Sequence, residues 1–176
     1  MRNHSDDDRY EWLALHLVQG LGNVVFKNLL EGFGSPRNIL KAGISDLMNV
    51  SGIREDVARK IVRKEFVSDP SKTLKRLEAL HVRVDTYADP SYPPALREIH
   101  DPPMVLYIKG RDILPRAVFI AVVGSRNPTP YGLKAAEKIG QGLARRGVGV
   151  VSGLARGIDS AAHWGSLGGR GFTAAV

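Results

Sequence analysis

The fold is decided by residues 117–132, AVFIAVVGSRNPTPYG, in which an apolar run ends at Gly124-Ser125-Arg126 and a proline-containing turn follows. A strand, a glycine-containing turn and a helix make an anion site in α/β proteins, because the helix N-terminus points at the ligand. The glycine lets a ligand approach the backbone, the serine offers a hydroxyl, and the arginine offers a charged fork that suits phosphate oxygens. The stretch therefore predicts a phosphate site at the end of a strand.

The rest of the chain continues this pattern. Residues 131–147 have the spacing of a helix, 148–153 of a second buried strand, 156–168 of a second helix and 171–176 of a third strand. Alternation of this kind with short loops predicts a parallel sheet with right-handed crossovers. The apolar face of the first of these helices is predicted to consist of Leu133, Ala136, Ile139, Leu143 and Ala144.

The ends of the first two strands should lie together, because parallel strands have their carboxyl ends at one edge of the sheet. Gly124-Ser125-Arg126 and Ser152-Gly153 are therefore expected to converge. Dinucleotide binding is not favoured, since the turn is not G-x-G-x-x-G and the second strand ends without the acid that would bind a ribose. Asp159 is expected to brace the loop at the helix start, with His163 packing against it.

Two catalytic alternatives start from the same residues. Ser152, Asp159 and His163 could suggest a hydrolase triad, but the serine is not in a G-x-S-x-G elbow. A metal site is poorly supported, because no second histidine or carboxylate cluster lies near His163 in the sequence.

The first 66 residues read as short helices with a weak internal repeat. VQGLGNVVFKNLL (18–30) and VSGIREDVARKIV (50–62) share a pattern at an offset of 32 residues, from Gly20 to Gly52. The pattern resembles the helix-hairpin-helix, whose glycine turn exposes backbone N–H groups to a DNA phosphate. Gly20, Gly22 and Gly52 are the candidate contacts, although Arg54 replaces the second glycine in the second copy. The alternative is that both hairpins serve only for packing.

Composition and charge limit the class of protein. The 176 residues include no cysteine, which excludes disulfides and cysteine-based zinc sites and is consistent with a cytoplasmic protein. The polar, acidic N-terminus is not a signal peptide, and the apolar runs are shorter than the roughly 18 residues of a membrane span. The net charge is +7, of which residues 117–176 carry +5. The last third is therefore expected to face a polyanion, unless the charge serves only solubility.

Three parts are expected along the chain. Residues 1–66 should form a helical helix-hairpin-helix or SAM-like module, 67–110 a linker, and 111–176 the first half of a Rossmann-like domain. The linker is predicted to contain one helix and two strands, at 68–80, 82–87 and 104–108.

Four segments together carry a resemblance to a known family. They are YPPALREIHDPPMVLYIKG, AVVGSRNPTPYG, VVSGLARGIDSAAHWGSLGGRGFTAAV and, more loosely, LLEGFGSP. They resemble the N-terminal part of the DNA-processing protein A family, DprA or Smf. The resemblance implies a Rossmann-type domain that binds single-stranded DNA in a basic pocket, protects incoming DNA during transformation and helps load the RecA recombinase. It implies no cofactor, no catalysis and a homodimer.

The resemblance also assigns roles to residues. Gly124, Ser125 and Arg126 fall on the family's phosphate-binding turn. The neighbouring residues that line or shape the pocket are Ser152, Gly153, Gly157, Ile158, Asp159 and His163. In the family the sheet continues past the third strand and includes a pocket lysine, so the Rossmann domain is expected to be truncated here. The family's dimer contacts and RecA-binding surface belong to that domain and are expected to be incomplete.

Two other functions remain open. Related Rossmann-type enzymes hydrolyse nucleoside monophosphates with a glycine-rich phosphate loop and an arginine–glutamate pair. Gly168-Gly169 is followed here by Arg170, and no such glutamate is visible. The other alternative is an adaptor whose helical module binds protein or duplex DNA, with the Rossmann part as a scaffold.

Overall fold

A computed structural model describes residues 6–112 and 117–176 and divides the chain into two compact units, Met1–Arg111 and Asp112–Val176. The stretch 67–110, where the sequence predicts a linker, belongs to the first unit. Among the described helices, none is both long enough and apolar enough to cross a membrane.

The first unit begins with five helices around one apolar core. Their ends follow from local sequence: Ser35 accepts a hydrogen bond from the Asn38 N–H (3.3 Å) at the start of one helix, and Gly34 ends the preceding helix in the left-handed region at φ 75°. Trp12 packs on Phe26 at 5.4 Å between ring centroids. The helices are α1 Asp6–His16, α2 Asn23–Phe33, α3 Pro36–Lys41, α4 Ile44–Met48 and α5 Glu55–Arg63.

The remainder of the first unit covers that core. Its elements are α6 Pro70–Ala79, β1 Arg83–Thr86, α7 Pro94–Arg97 and β2 Val105–Ile108, with β1 and β2 antiparallel. Asp69 caps α6 by accepting from the Lys72 N–H at 3.0 Å, as its position before Pro70 predicts. Val84, Met104 and Val105 are buried in the helical core. This burial of apolar side chains is why the stretch packs on the helices instead of forming a linker.

The second unit is the predicted parallel sheet with its helices. The elements are β3 Phe119–Ala121, α8 Pro130–Ala144, β4 Gly149–Ser152, α9 Ile158–Gly168 and β5 Thr173–Ala175. The strand order is β3-β4-β5, and both pairings are parallel. The strand order requires two crossovers in the same direction, which places α8 and α9 side by side on one face of the sheet. The strands are shorter than predicted, but the order of elements is confirmed.

The predicted apolar face of α8 is wrong in part. Ala136 and Gly140 are buried, whereas Leu133 is exposed and Ile139 is 53% exposed. The reason is that α8 and α9 approach closely through small residues: a Cβ on Gly140 would overlap the carbonyl oxygen of Ala162, and one on Gly165 would overlap that of Glu137. Glycine carries no weight in a hydrophobic pattern, so the sequence does not reveal this contact.

Candidate nucleic-acid interface

The Gly-Ser-Arg turn lies between β3 and α8, at the carboxyl edge of the sheet. Its shape follows from local hydrogen bonds. The Ser125 hydroxyl oxygen accepts from the Asn127 N–H at 3.1 Å, and Thr129 caps α8 by accepting from the Gly132 N–H at 3.2 Å. Gly124, Ser125 and Arg126 are all exposed. The turn therefore offers its residues to solvent at a helix N-terminus.

The loop after β4 packs against this turn, as the parallel topology predicts. The Ile158 N–H donates to the Ser125 carbonyl oxygen at 3.2 Å. Gly157 has φ 94°, and a Cβ there would overlap the same carbonyl oxygen. A Cβ on Gly124 would lie 2.7 Å from Ile158 Cγ1. The glycine of the turn is thus required by packing against Ile158, in addition to any role in ligand approach.

Asp159 lies beneath both loops. It is buried in the first turn of α9, and its Oδ1 accepts from the Gly124 N–H at 3.4 Å. A Cβ on Gly153 would lie 3.1 Å from its Oδ2. A carboxylate at a helix N-terminus is stabilised by the helix dipole. The buried aspartate therefore links the turn after β3 to the loop after β4.

Two arginines stand free at this edge. Arg126, in the turn after β3, and Arg156, in the loop after β4, are both exposed. Within the described part of the chain, neither forms an ion pair or side-chain hydrogen bond. An unpaired guanidinium keeps its five N–H donors available for phosphate oxygens. Arg156 carries the same chemistry as Arg126, although the sequence pattern did not single it out.

The structure assigns Ser152 a different contact from the one predicted. It is buried, and its hydroxyl donates to the Val122 carbonyl oxygen at 2.7 Å. This bond ties the ends of β3 and β4 together, so the hydroxyl is not turned toward a phosphate. Gly153, the next residue, is exposed and leaves its backbone accessible.

His163 also has a different partner from the one expected. Its Nδ1 lies 2.5 Å from Thr173 Oγ1, on β5, rather than against Asp159. Its Nε2 is buried without a hydrogen-bond partner among the described residues. No hydrogen bond within those residues links Ser152, Asp159 and His163 to one another. The geometry therefore gives no support to a hydrolase triad. Nor do residues 6–112 and 117–176 bring three potential metal-ligand side chains together.

The first glycines of the two hairpins in the N-terminal repeat have similar backbone φ angles. Gly20 has φ 92° and Gly52 has φ 87°, and both are exposed. Gly22 precedes α2 with extended backbone, and Arg54 takes the equivalent place before α5. Because Glu55 and Asp56 occupy the first turn of α5, the second helix start is electrostatically less suited to a phosphate than the first. Contacts of the hairpins with DNA stay a prediction.

Reciprocal hydrogen bonds join the two hairpins, although the repeat pattern did not indicate them. Asn28 Nδ2 donates to the Ser51 carbonyl at 3.1 Å, and Lys60 Nζ donates to the Gln19 carbonyl at 3.3 Å. Each donor lies eight residues after the glycine of its own copy, and each acceptor lies one residue before the glycine of the other. All four positions lie within the aligned segments 18–30 and 50–62, but their side chains differ between the copies, so the repeat pattern gives no signal for these bonds.

Comparison with known proteins decides the family. The family model described as DNA recombination-mediator protein A matches residues 83–176, which include β3, the Gly-Ser-Arg turn and the α9 loop. The chain belongs to this family. It is 35% identical over 176 residues to Protein Smf of Synechocystis, covering 98% of this chain and 44% of that protein. It is 37% identical over 136 residues to DNA processing protein DprA of Streptococcus pneumoniae, covering 76% of this chain and 45% of that protein.

The fold of this chain is also similar to that of a solved structure from the DNA recombination-mediator protein A family. The X-ray structure of DprA from Streptococcus pneumoniae matches with a TM-score of 0.74 and 34% identity, over 96% of this chain and 56% of that one. The chain thus spans about half the length of the relatives it matches. The helical N-terminal part and the parallel sheet are both within the match.

Proposed function

We propose that this protein binds single-stranded DNA without sequence preference, through the turn that carries Arg126. The observation that carries the proposal is an exposed, unpaired arginine on a turn that Ile158 and Asp159 hold from behind. A guanidinium in this position can donate two parallel hydrogen bonds to one phosphate, which adds geometry to charge. Arg156 and the start of α8 add positive potential at the same edge.

Backbone recognition explains why no base preference is expected. Phosphate contacts are the same for every sequence. Their contribution to the binding free energy falls as salt rises, because releasing counterions into a more concentrated salt solution gains less entropy. The net charge of +5 over residues 117–176 favours a polyanion on this unit. A flexible single strand can follow a turn and a helix start, whereas a stiff duplex presents fixed phosphate positions.

In the cell, we propose that this binding protects incoming DNA during transformation and supports the loading of RecA, as the resemblance to DprA implies. The role is non-enzymatic and uses no cofactor, and the homodimer of the family is expected only where its contacts, which belong to the Rossmann domain, are complete. The acidic residues support the non-enzymatic proposal over a phosphoribohydrolase. Of the two acids in residues 117–176, Asp159 is bonded to Gly124 and Glu137 lies in a cleft between α8 and α9. Neither forms an arginine–glutamate pair with Arg126.

The test is a fluorescence-anisotropy titration of a labelled single-stranded oligonucleotide, at low and moderate salt, with a duplex of the same sequence beside it. The proposal predicts binding that prefers the single strand and weakens as salt rises. Equal binding of duplex, or binding unaffected by salt, would contradict it. Incubation with AMP provides the enzymatic control, because release of free adenine would favour the phosphoribohydrolase alternative instead.

A further inference from the structure

The outer face of α8 carries a stripe of polar and aromatic side chains that the phosphate site does not use. Tyr131, Lys134, Lys138 and Gln141 follow one another at intervals of three, four and three residues, which places them on one face of a helix. Tyr131 is 81% exposed and lies five residues after Arg126. From Tyr131 to Lys138 the helix rises roughly 10 Å. The stripe therefore leads directly away from the Gly-Ser-Arg turn.

The stripe ends in a cleft between α8 and α9. The cleft has a volume of about 200 Å³, and Lys134, Lys138 and Gln141 line it together with Trp164 of α9. Gly165 is also in the lining, and a Cβ there would overlap the Glu137 carbonyl oxygen, so a larger residue would force the two helices apart. Trp164 is 70% exposed, although a tryptophan has more apolar surface to bury than almost any other residue.

The charges in the cleft favour an anion. Lys134 and Lys138 form no ion pair with any residue that the structure describes. Glu137 is the one acid among the lining residues, so the lining carries a net positive charge. An exposed indole beside two free ammonium groups is the combination that binds a nucleotide of a single strand, with the base on the ring and the phosphates on the lysines.

We propose that a single strand held at Arg126 continues along α8, where one base stacks on Trp164 and the adjoining phosphates contact Lys134 and Lys138. This inference rests on the proposed function and extends its site from one turn to a track. Tyr131 lies between the two ends of the track and offers a second ring for stacking. Glu137 opposes the phosphates, so its removal should tighten binding.

The two tryptophans make a direct experiment possible. Trp12 is 4% exposed, in the first unit, so quenching of fluorescence by an added strand reports on Trp164. Oligothymidylate should quench the emission, and an abasic strand of equal length should bind more weakly and quench little. Trp164→Ala should abolish the quenching and weaken oligothymidylate binding about tenfold, within the range for one stacked base. Trp164→Phe, which keeps a ring, should stay within about threefold of the parent.

Substitution of the charged residues in the cleft provides a second experiment. Lys134→Ala with Lys138→Ala should weaken oligothymidylate and abasic strands alike, and Glu137→Gln should strengthen both. If the parent chain binds oligothymidylate through Arg126, but without quenching and with unchanged affinity in Trp164→Ala, the track is contradicted and the proposed function survives. If the parent chain binds no strand at all, both the track and the proposed function fail.

Discussion

The Ile158 N–H donates a hydrogen bond to the Ser125 carbonyl oxygen, at 3.2 Å, and so joins the turn after β3 to the start of α9. Asp159, the next residue, accepts from the Gly124 N–H on the same turn. Arg126 is therefore presented by a turn whose backbone is fixed at two points on a neighbouring helix. A preorganised turn loses less conformational entropy when it binds a phosphate than a mobile one does.

Gly157→Ala tests this attachment. The native φ of 94° is strained for alanine, and the new Cβ would overlap the Ser125 carbonyl oxygen. We expect a loss of roughly 1–3 kcal/mol in the stability of the second unit, together with weaker DNA binding. Hydrogen exchange of peptides from α9 measures the stability. Gly168→Ala, at a position with nothing within 4 Å, is the control, and an equal effect of the two substitutions would rule out the proposed attachment.

The packing of α8 on α9 is tested by two glycines on one helix. Gly140→Ala would place a Cβ against the Ala162 carbonyl oxygen, so we expect the two helices to separate and the second unit to lose stability. Gly142→Ala, where the nearest atom is Arg146 Nη1 at 3.7 Å, should instead stabilise the helix by about 0.5–1 kcal/mol. Denaturant unfolding followed by circular dichroism compares them. Two changes of the same sign would contradict the close helix contact.

The internal symmetry of the first unit predicts matched effects of substitution. Gly20→Ala and Gly52→Ala each force alanine to a φ near 90°, so each should cost about 1–2 kcal/mol. Gly22→Ala, with φ −78° and no atom within 4 Å, should cost less than either. Trp12 fluorescence during denaturant unfolding, in a Trp164→Phe background, measures all three. A large loss in only one of the first two would argue against equivalent hairpins.

His16 predicts how the first unit responds to acid. The side chain is half-buried and packs edge to face against Tyr107, with 5.7 Å between the ring centroids. Burial lowers the pKa of His16 below its usual 6.5. Below pH 6.5 the unfolded chain therefore binds a proton at His16 more readily than the folded chain does. The free energy of unfolding falls as the pH drops from 6.5 toward the lower pKa of the folded state. His16→Gln should lose less stability than the parent between pH 8 and pH 5. Parallel losses in unfolding experiments at the two pH values would contradict this.

The sequence allowed the second unit to be predicted because its signals are local. Strand-length apolar runs, a proline at the first position of α8 and short glycine-containing loops indicate each element separately. The parallel topology then brings the Gly-Ser-Arg turn and the α9 loop to one edge, as observed. Asp69 and Pro70 likewise indicated the start of α6.

What the sequence did not reveal depends on contacts between distant residues. Ser152 looks like a phosphate ligand in sequence, but the Val122 carbonyl takes its hydroxyl. Gly140 and Gly165 carry no hydrophobic signal, although they set the distance between α8 and α9. Residues 67–110 are rich in proline and resemble a linker, yet Val84 and Met104 are buried in the helical core.

The role proposed for Arg126 is tested by comparing Arg126→Ala with Arg145→Ala. Both remove one exposed arginine from the second unit, but the 15 residues of α8 separate the two positions by roughly 22 Å. Binding of a single-stranded oligonucleotide is measured by anisotropy over a series of salt concentrations. We predict that Arg126→Ala weakens binding to all sequences alike and makes the negative slope of log K against log salt shallower by about 0.7. Arg145→Ala should leave the affinity and the slope near the parent values. If Arg126→Ala binds with the parent's affinity and salt slope, the phosphate contact proposed for Arg126 is wrong.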